Sequence, residues 1–159
     1  QAGSASIAII NGDPVLESSN VGQQARTQLE NAATQWQTRI QTAQQELQTL
    51  TQRRQEQALT LNETALARLN QDIENKQVEI QRLNDDASRE IQRLQQQITV
   101  QVNQQLGPLV EQFASREGLD LIFDSSNMAG LLYFANARDM TDRFLTMVNA
   151  QSGSGAEQE

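Results

Sequence analysis

The fold of this protein is decided by two stretches in the middle of the chain. Residues 28–50 have the sequence QLENAATQWQTRIQTAQQELQTL, and residues 66–98 have the sequence LARLNQDIENKQVEIQRLNDDASREIQRLQQQI. In both stretches apolar side chains recur in steps of three and four, which is the spacing of one face of a helix. A seam of this kind is typical of helices that pack as a coiled coil.

The regular seam lapses between these stretches, at the sequence LNET of residues 61–64. Asn62 is a suitable N-cap for a new helix, and Glu63 is a suitable residue for its first turn. We therefore predict that the chain reverses near residues 60–63. The result would be a long antiparallel coiled-coil hairpin arm over residues 22–106.

The register of the hairpin follows from the position of the turn. With a turn at residues 61 and 62, paired residues have numbers that total 123, so Ile40 lies opposite Leu83. In the same register the large Trp36 lies opposite the small Ala87, as close packing requires. The predicted arm seam consists of Leu29, Trp36, Ile40, Ala43, Leu47, Leu50, Ile73, Ile80, Leu83, Ala87 and Leu94.

Two features interrupt this pattern. Lys76 falls opposite Leu47, so its charged head is expected to extend along its stem into water. Gly107 and Pro108 end the arm, and Pro108 removes one helical hydrogen bond. This pair is a possible hinge, and a fixed kink is the equally weighted alternative.

The two ends of the chain, residues 6–21 and 107–150, are predicted to form an oligomerisation body. Asp13 and Pro14 suggest the start of a short helix over residues 15–19. Short apolar runs bounded by turn residues indicate strands, and Asp139 can cap a last helix. The elements expected are strands at 7–10, 120–124 and 131–135, a terminal helix at 139–149, and a disordered tail at 151–159.

Three short strands cannot cover their apolar sides within one chain, and large uncovered apolar patches usually mark a partner surface. We therefore predict self-association of the body. The residues expected at this interface are Ile7, Ile9, Leu121, Phe123, Leu132 and Phe134.

Composition excludes several classes of function. The chain has no Cys and no His, which excludes disulfides, thiolate nucleophiles, imidazole bases and ordinary zinc sites. The net charge is −8, but residues 23–116 carry 10 basic and 11 acidic residues, so the arm is nearly neutral. The absence of a basic stripe argues against nucleic-acid binding, and no apolar run is long enough to span a membrane.

We predict no enzymatic activity, no cofactor and no metal. The carboxylates Asp85, Asp86, Asp120 and Asp124 are explained more simply by a solvated helix face and by turns than by acid–base chemistry. The chain also has no phosphate-binding P-loop motif. Its 26 glutamines are either ordinary helix formers or a neutral surface able to touch many chains weakly.

Three segments in order resemble the Skp/OmpH-like periplasmic chaperones over roughly residues 6–149. They are IAIIN at Ile7–Asn11, GLDLIFD at Gly118–Asp124 and RDMTDRFL at Arg138–Leu145, with the hairpin between them. The resemblance implies a mainly α fold with a small β body. It further implies a homotrimer with an intersubunit β-barrel base and three arms around a cavity.

The same resemblance implies export to the periplasm after removal of a signal peptide. It also implies ATP-independent holding of unfolded outer-membrane proteins, without stable membrane insertion, so that these clients do not aggregate. Well-known members are strongly basic, whereas this chain has a pI near 4.5, so a charge-driven grip on clients is not inferred. The alternative is a passive coiled-coil scaffold or spacer that binds one folded partner.

Overall fold

The computed structural model describes residues 5–127 and 138–153, and the described chain is mainly helical with a small two-stranded sheet. The chain divides into two compact units. The first unit is formed by Gln1–Thr27 together with Gln97–Glu159, and the second unit by Gln28–Gln96. The elements in order are β1 (Ile7–Ile10), α1 (Gly12–Ser18), α2 (Asn20–Gln57), α3 (Glu63–Glu117), β2 (Leu121–Asp124), a 3₁₀ turn (Ser125–Asn127) and α4 (Thr141–Gly153).

The first unit is built on the parallel pairing of β1 with β2. Ile7 lies opposite Leu121 and Ile10 lies opposite Asp124. On the other side of β1, the backbone N–H of Met140 donates to the carbonyl of Ile9 at 2.9 Å, so β1 is bonded on both sides.

The core of the first unit lies among the helices. Phe113 of α3 and Phe144 of α4 meet edge to face with ring centroids 5.4 Å apart, and each is 2% exposed. Val15 of α1 and Val148 of α4 are also buried. Burial of aromatic and branched side chains of this size supplies most of the favourable free energy of such a small core.

The joint between α1 and α2 depends on Ser19 and Gly22. Ser19 is fully buried, its N–H donates to the carbonyl of Val15 at 3.0 Å, and its hydroxyl accepts from the N–H of Gly22 at 3.1 Å. One residue therefore ends α1 and caps α2. At Gly22 a Cβ atom would lie 1.6 Å from the carbonyl oxygen of Leu16, so this approach is possible only for glycine.

The second unit contains a break between α2 and α3. α2 ends at Gln57, and α3 begins at Glu63 after Asn62, whose side chain accepts from the N–H of Ala65 at 2.8 Å. The predicted Asn62 cap is therefore confirmed. Nζ of Lys76 lies 2.6 Å from Oε2 of Glu46, which a single uninterrupted helix could not allow, since it would separate these residues by about 45 Å.

The helix α3 continues through Gly107 and Pro108 to Glu117. A residue before proline normally leaves the α region, because its Cβ crowds the proline ring. Gly107 has no Cβ, so this part of the clash is absent where α3 passes Pro108. α3 ends at Glu117, because Gly118 has a φ of 63°, a left-handed conformation typical of the residue after a helix.

Several element boundaries differ from those expected. α1 begins at Gly12, and its cap is Asn11 instead of Asp13, because the Asn11 side chain accepts from the N–H of Asp13 at 3.1 Å. β2 begins at Leu121 instead of residue 120, where the Asp120 carboxylate accepts from the N–H of Ser6 at 2.7 Å. α2 begins at Asn20, two residues before the start expected for the arm.

The terminal helix also differs, since it spans Thr141–Gly153 instead of residues 139–149. Asp139 precedes the helix and its side chain accepts from the N–H of Thr141 at 3.0 Å. Residues 151–153, expected in the tail, are helical, and Gln151 donates to the Gln112 side chain at 2.9 Å. The strand expected at residues 131–135 lies outside the described residues.

Replacing Gly22 by alanine is expected to lower the free energy of unfolding by at least about 2 kcal/mol, in the upper part of the range for single substitutions. The added Cβ collides with the Leu16 carbonyl, which belongs to the backbone and cannot rotate away. Gly153→Ala is the matched control, since a Cβ there meets nothing within 4 Å. Urea denaturation followed by circular dichroism measures both, and equal stabilities would contradict the proposed close contact.

Candidate functional site

One face of the β1–β2 sheet carries an apolar surface, which we call the open sheet face and define by Ile7, Leu121 and Phe123. These side chains are 36%, 48% and 39% exposed, respectively. The alternate residues Ala8 and Ile10 point to the other face and are buried. Ile9, which shares the face of Ile7, is buried as well.

A parallel sheet with an exposed apolar face is unusual, because such sheets are normally covered on both faces. A two-stranded sheet is also marginal in isolation. Covering an apolar side chain of this size contributes about 1.5–3 kcal/mol when burial is complete. The open sheet face is therefore the surface of the first unit best suited to a protein partner.

Carboxylates hold the ends of both strands in register. Oδ2 of Asp120 accepts from the N–H of Ser6 at 2.7 Å before the sheet, and Oδ1 of Asp124 accepts from the N–H of Gly12 at 3.0 Å after it. Oδ1 of Asp124 also accepts from the hydroxyl of Ser126 at 2.6 Å and from its N–H at 3.0 Å. These contacts fix the sheet whose open face is described above.

The environment of Asp124 acts on its pKa in two directions. Partial desolvation raises the pKa of this carboxyl, but hydrogen bonds from the Ser126 hydroxyl and from the N–H groups of Ser126 and Gly12 favour the charged form more strongly. The net result is a pKa below the ordinary value of an aspartic acid.

Residues 31–52 of α2, in the second unit, are almost uncharged. Between residues 31 and 52 only Arg39 and Glu46 carry charge. The guanidinium of Arg39 lies 4.5 Å from the centroid of the Trp36 ring, and Glu46 is bonded to Lys76. Threonine hydroxyls in this stretch donate to their own helix, for example Thr42 to the carbonyl of Thr38 at 2.9 Å. The surface thus offers methyl groups and glutamine amides.

An open groove lies on this nearly uncharged stretch of the second unit. Its lining combines threonine and glutamine side chains with the stem of a lysine: Thr42, Gln45, Glu46, Thr49, Leu50 and Lys76. The part of α3 in the same unit, from residue 63 to 96, differs in character, because 12 of its 34 residues are charged. Several of these charges pair within the helix, as Arg93 does with Glu90 at 2.7 Å.

All eleven predicted seam residues are buried or half-buried. Ile40 and Ala43 are buried at 9% and 3% exposure. The half-buried members are Leu29, Trp36, Leu47, Leu50, Ile73, Ile80, Leu83, Ala87 and Leu94.

Of the residues expected at the oligomerisation interface, Leu132 and Phe134 lie outside the described residues. The possible hinge residues Gly107 and Pro108 are exposed on α3.

Lys76 meets two carboxylates at the end of its stem. Its side chain is 19% exposed, and Nζ lies 2.6 Å from Oε2 of Glu46 and of Glu79, whose own side chains are 54% and 50% exposed. Hydrogen bonds to Glu46 and then to Glu79 raise the pKa of this lysine above its ordinary value. The signal for this contact was present in the sequence, since Glu46 adjoins Leu47 and Glu79 lies one turn beyond Lys76.

Other kinds of site find little support in the part of the chain that the structure describes. It contains no group of three or more Asp or Glu residues placed to hold a metal ion, and no buried side-chain polar atom lacks a hydrogen-bond partner. Within residues 5–127 and 138–153, no helix combines the length and apolar character needed to cross a membrane. The surfaces described above are therefore the best candidates for function.

Comparison with known proteins gives two findings. A family model described as outer membrane protein (OmpH-like) matches residues 6–148. The fold is similar to the crystal structure of a protein from Caulobacter crescentus CB15 that is described as an outer membrane chaperone (OmpH-like), with a TM-score of 0.81 and 17% identity over 95% of this chain and 88% of that chain. None of the curated proteins compared with the chain matches it.

The lowered pKa of Asp124 predicts a contribution to stability that depends on pH. A carboxyl whose folded pKa is depressed stabilises the fold above its unfolded pKa, near 3.8, and this contribution is lost as the pH falls through the lower folded value. The difference in stability between the wild type and Asp124→Asn should therefore shrink as the pH is lowered through this window. Urea unfolding at a series of pH values measures it, and a constant difference would contradict the assignment.

Proposed function

This chain belongs to the OmpH-like family, and from that premise we propose that it is an ATP-independent holdase chaperone for unfolded outer-membrane proteins in the periplasm. The observation that carries the proposal is the family match over residues 6–148, together with a fold that matches a relative described as an outer membrane chaperone. The protein would keep unfolded clients apart until they reach the membrane. No catalytic step is required for this activity.

The proposed assembly is a homotrimer in which the open sheet face is covered by neighbouring copies. The exposure of Ile7, Leu121 and Phe123 supports this, because a parallel sheet is normally covered on both faces. In the assembly, an intersubunit β-barrel would form the base. The hairpin formed by α2 and α3 would supply one arm in each copy.

The antiparallel hairpin is supported by the contact between Glu46 and Lys76, whose residue numbers total 122, close to the 123 expected from the sequence. Burial of Ile40 and Ala43 also supports it, since these side chains lie on the expected seam. Two helices held in this way present long outer surfaces, which an unfolded chain can contact at many points.

The chemistry of α2 fits weak and unselective contact. Its exposed side carries few charges between residues 31 and 52, and both of them are engaged within the protein. Glutamine amides can donate and accept hydrogen bonds with any peptide backbone, while threonine methyls and Leu50 offer small apolar contacts. Many such contacts around a cavity give useful avidity, although each one releases quickly.

Suppression of aggregation tests the chaperone activity. An outer-membrane protein unfolded in urea is diluted into buffer with and without the protein, and light scattering is recorded. We expect scattering to fall markedly at one trimer per client, with no nucleotide present. Unchanged scattering would overturn the holdase proposal, and capture of a single folded partner in a pull-down would instead support a passive scaffold.

Solution mass tests the trimer separately. Light scattering coupled to size exclusion should give about three times the chain mass of 17.7 kDa. Replacing both Leu121 and Phe123 by glutamine should reduce this mass to that of one chain, because the open sheet face becomes polar. Val100→Gln is the matched control, since Val100 is also exposed but lies on α3. A double variant that stays trimeric would place the interface elsewhere.

A further inference from the structure

Lys76 occupies a position that the pattern of α3 reserves for apolar residues. The buried or half-buried residues around it recur in steps of three and four, at Leu69, Ile73, Ile80 and Leu83. Lys76 continues this series and is the only lysine among the 12 basic residues of the chain, the others being arginine. A charged group in a packed seam is unfavourable unless it finds partners, so its presence calls for a physical reason.

Both partners of Lys76 are carboxylates, and they play different roles. Glu79 lies one turn further along α3, with its Oε2 2.6 Å from Nζ of Lys76. Because both residues belong to α3, this contact does not depend on the position of α2. Glu46 lies on α2, with Oε2 also 2.6 Å from Nζ. The bond to Glu46 exists only when the two helices are aligned as they are here.

We propose that Lys76 determines the register in which α2 packs against α3. In coiled coils, a single polar or lysine residue at a seam position can specify register at some cost in stability. The apolar seam and the turn are weak guides by themselves, because a shift of one heptad returns most apolar residues to apolar positions and moves the turn by only three or four residues. The Lys76–Glu46 contact distinguishes the registers that the seam leaves nearly equivalent.

The sequence of α2 penalises the competing registers. Glu46 is the only acidic residue between Glu30 and Glu56. If α2 shifts by one heptad in either direction, Lys76 faces Arg39 or Arg53 instead of Glu46. Two cations then repel each other. A shift of about half a heptad instead brings uncharged residues such as Thr42 or Thr49 to Lys76, so its charge would lose its partner on α2.

Distances between two spin labels test this inference on the full chain. The labels are attached at Gln41→Cys on α2 and Gln96→Cys on α3, both exposed positions in a protein without native cysteine. Labelled chains are diluted with unlabelled chains so that only distances within one chain are recorded. A shift of one heptad moves the labels relative to each other by about 10 Å along the helix axis.

With Lys76 present we expect a single distance population. Lys76→Met keeps most of the side-chain stem but removes the charge, and it should add a second population displaced by the heptad shift. Glu46→Arg should do the same, because it removes the acceptor and adds a repelling cation. The thermal midpoint of Lys76→Met should be close to or above that of the wild type, since Glu46 and Glu79 are 54% and 50% exposed, ion pairs with such exposed partners contribute little, and Met is apolar like its neighbours in the seam.

Arg89→Met is the matched control. Arg89 bonds to Asp86 on its own helix at 3.2 Å, so its loss should leave one population. If Lys76→Met and Glu46→Arg both retain the single distance of the wild type, register is fixed elsewhere and the inference is wrong. If Lys76→Met lowers the helix content, Lys76→Gln, which carries a polar side chain, is measured in its place. A second distance population in Lys76→Gln supports the inference, and a single population contradicts it.

Discussion

The parallel pairing of β1 with β2 is the constraint on which the rest of the structure depends. It brings together residues more than a hundred positions apart, with the N–H of Ser6 bonded to the Asp120 carboxylate at 2.7 Å. Parallel strands require the connecting chain to return to the end of the sheet at which the second strand starts. Because α2 alone has 38 residues, about 57 Å of helix, this return requires a break in the helical connection. The break lies after Gln57, with a new cap at Asn62, and in the proposed hairpin it reverses the chain.

The acidic character of the chain has a structural use in the first unit. This unit carries 10 acidic and 4 basic residues, whereas the second carries 10 and 8. Three of its carboxylates, Asp120, Asp124 and Asp139, accept from backbone N–H groups next to β1, next to α1 and at the start of α4. Charged acceptors make stronger hydrogen bonds than neutral ones. These three carboxylates therefore hold the ends of strands and helices.

The two helices of the second unit divide their surface chemistry. α3 carries charges that pair along the helix, as in Arg89 with Asp86, which keeps it well solvated. Residues 31–52 of α2 are rich in glutamine and threonine, and their two charges, Arg39 and Glu46, are engaged by Trp36 and Lys76. A neutral surface binds through short-range contacts that salt screens little, whereas a basic one would bind through Coulomb attraction that salt weakens. For the proposed chaperone, this would favour contact with clients of any charge.

The sequence by itself determined the features that depend on near neighbours. Helical periodicity, the Asn62 cap and the end of α3 before Gly118 were predictable, because caps and seams involve residues three or four positions apart. The prediction of Asp13 as the cap of α1 was wrong, because Asn11 and Asp13 can both cap a helix and the local sequence does not distinguish them. Tertiary structure alone decided that β1 and β2 run parallel and that Gly22 must accommodate the Leu16 carbonyl. Each of these features depends on contacts between different segments of the chain. The local pattern of residues does not specify the distance or the direction of such contacts.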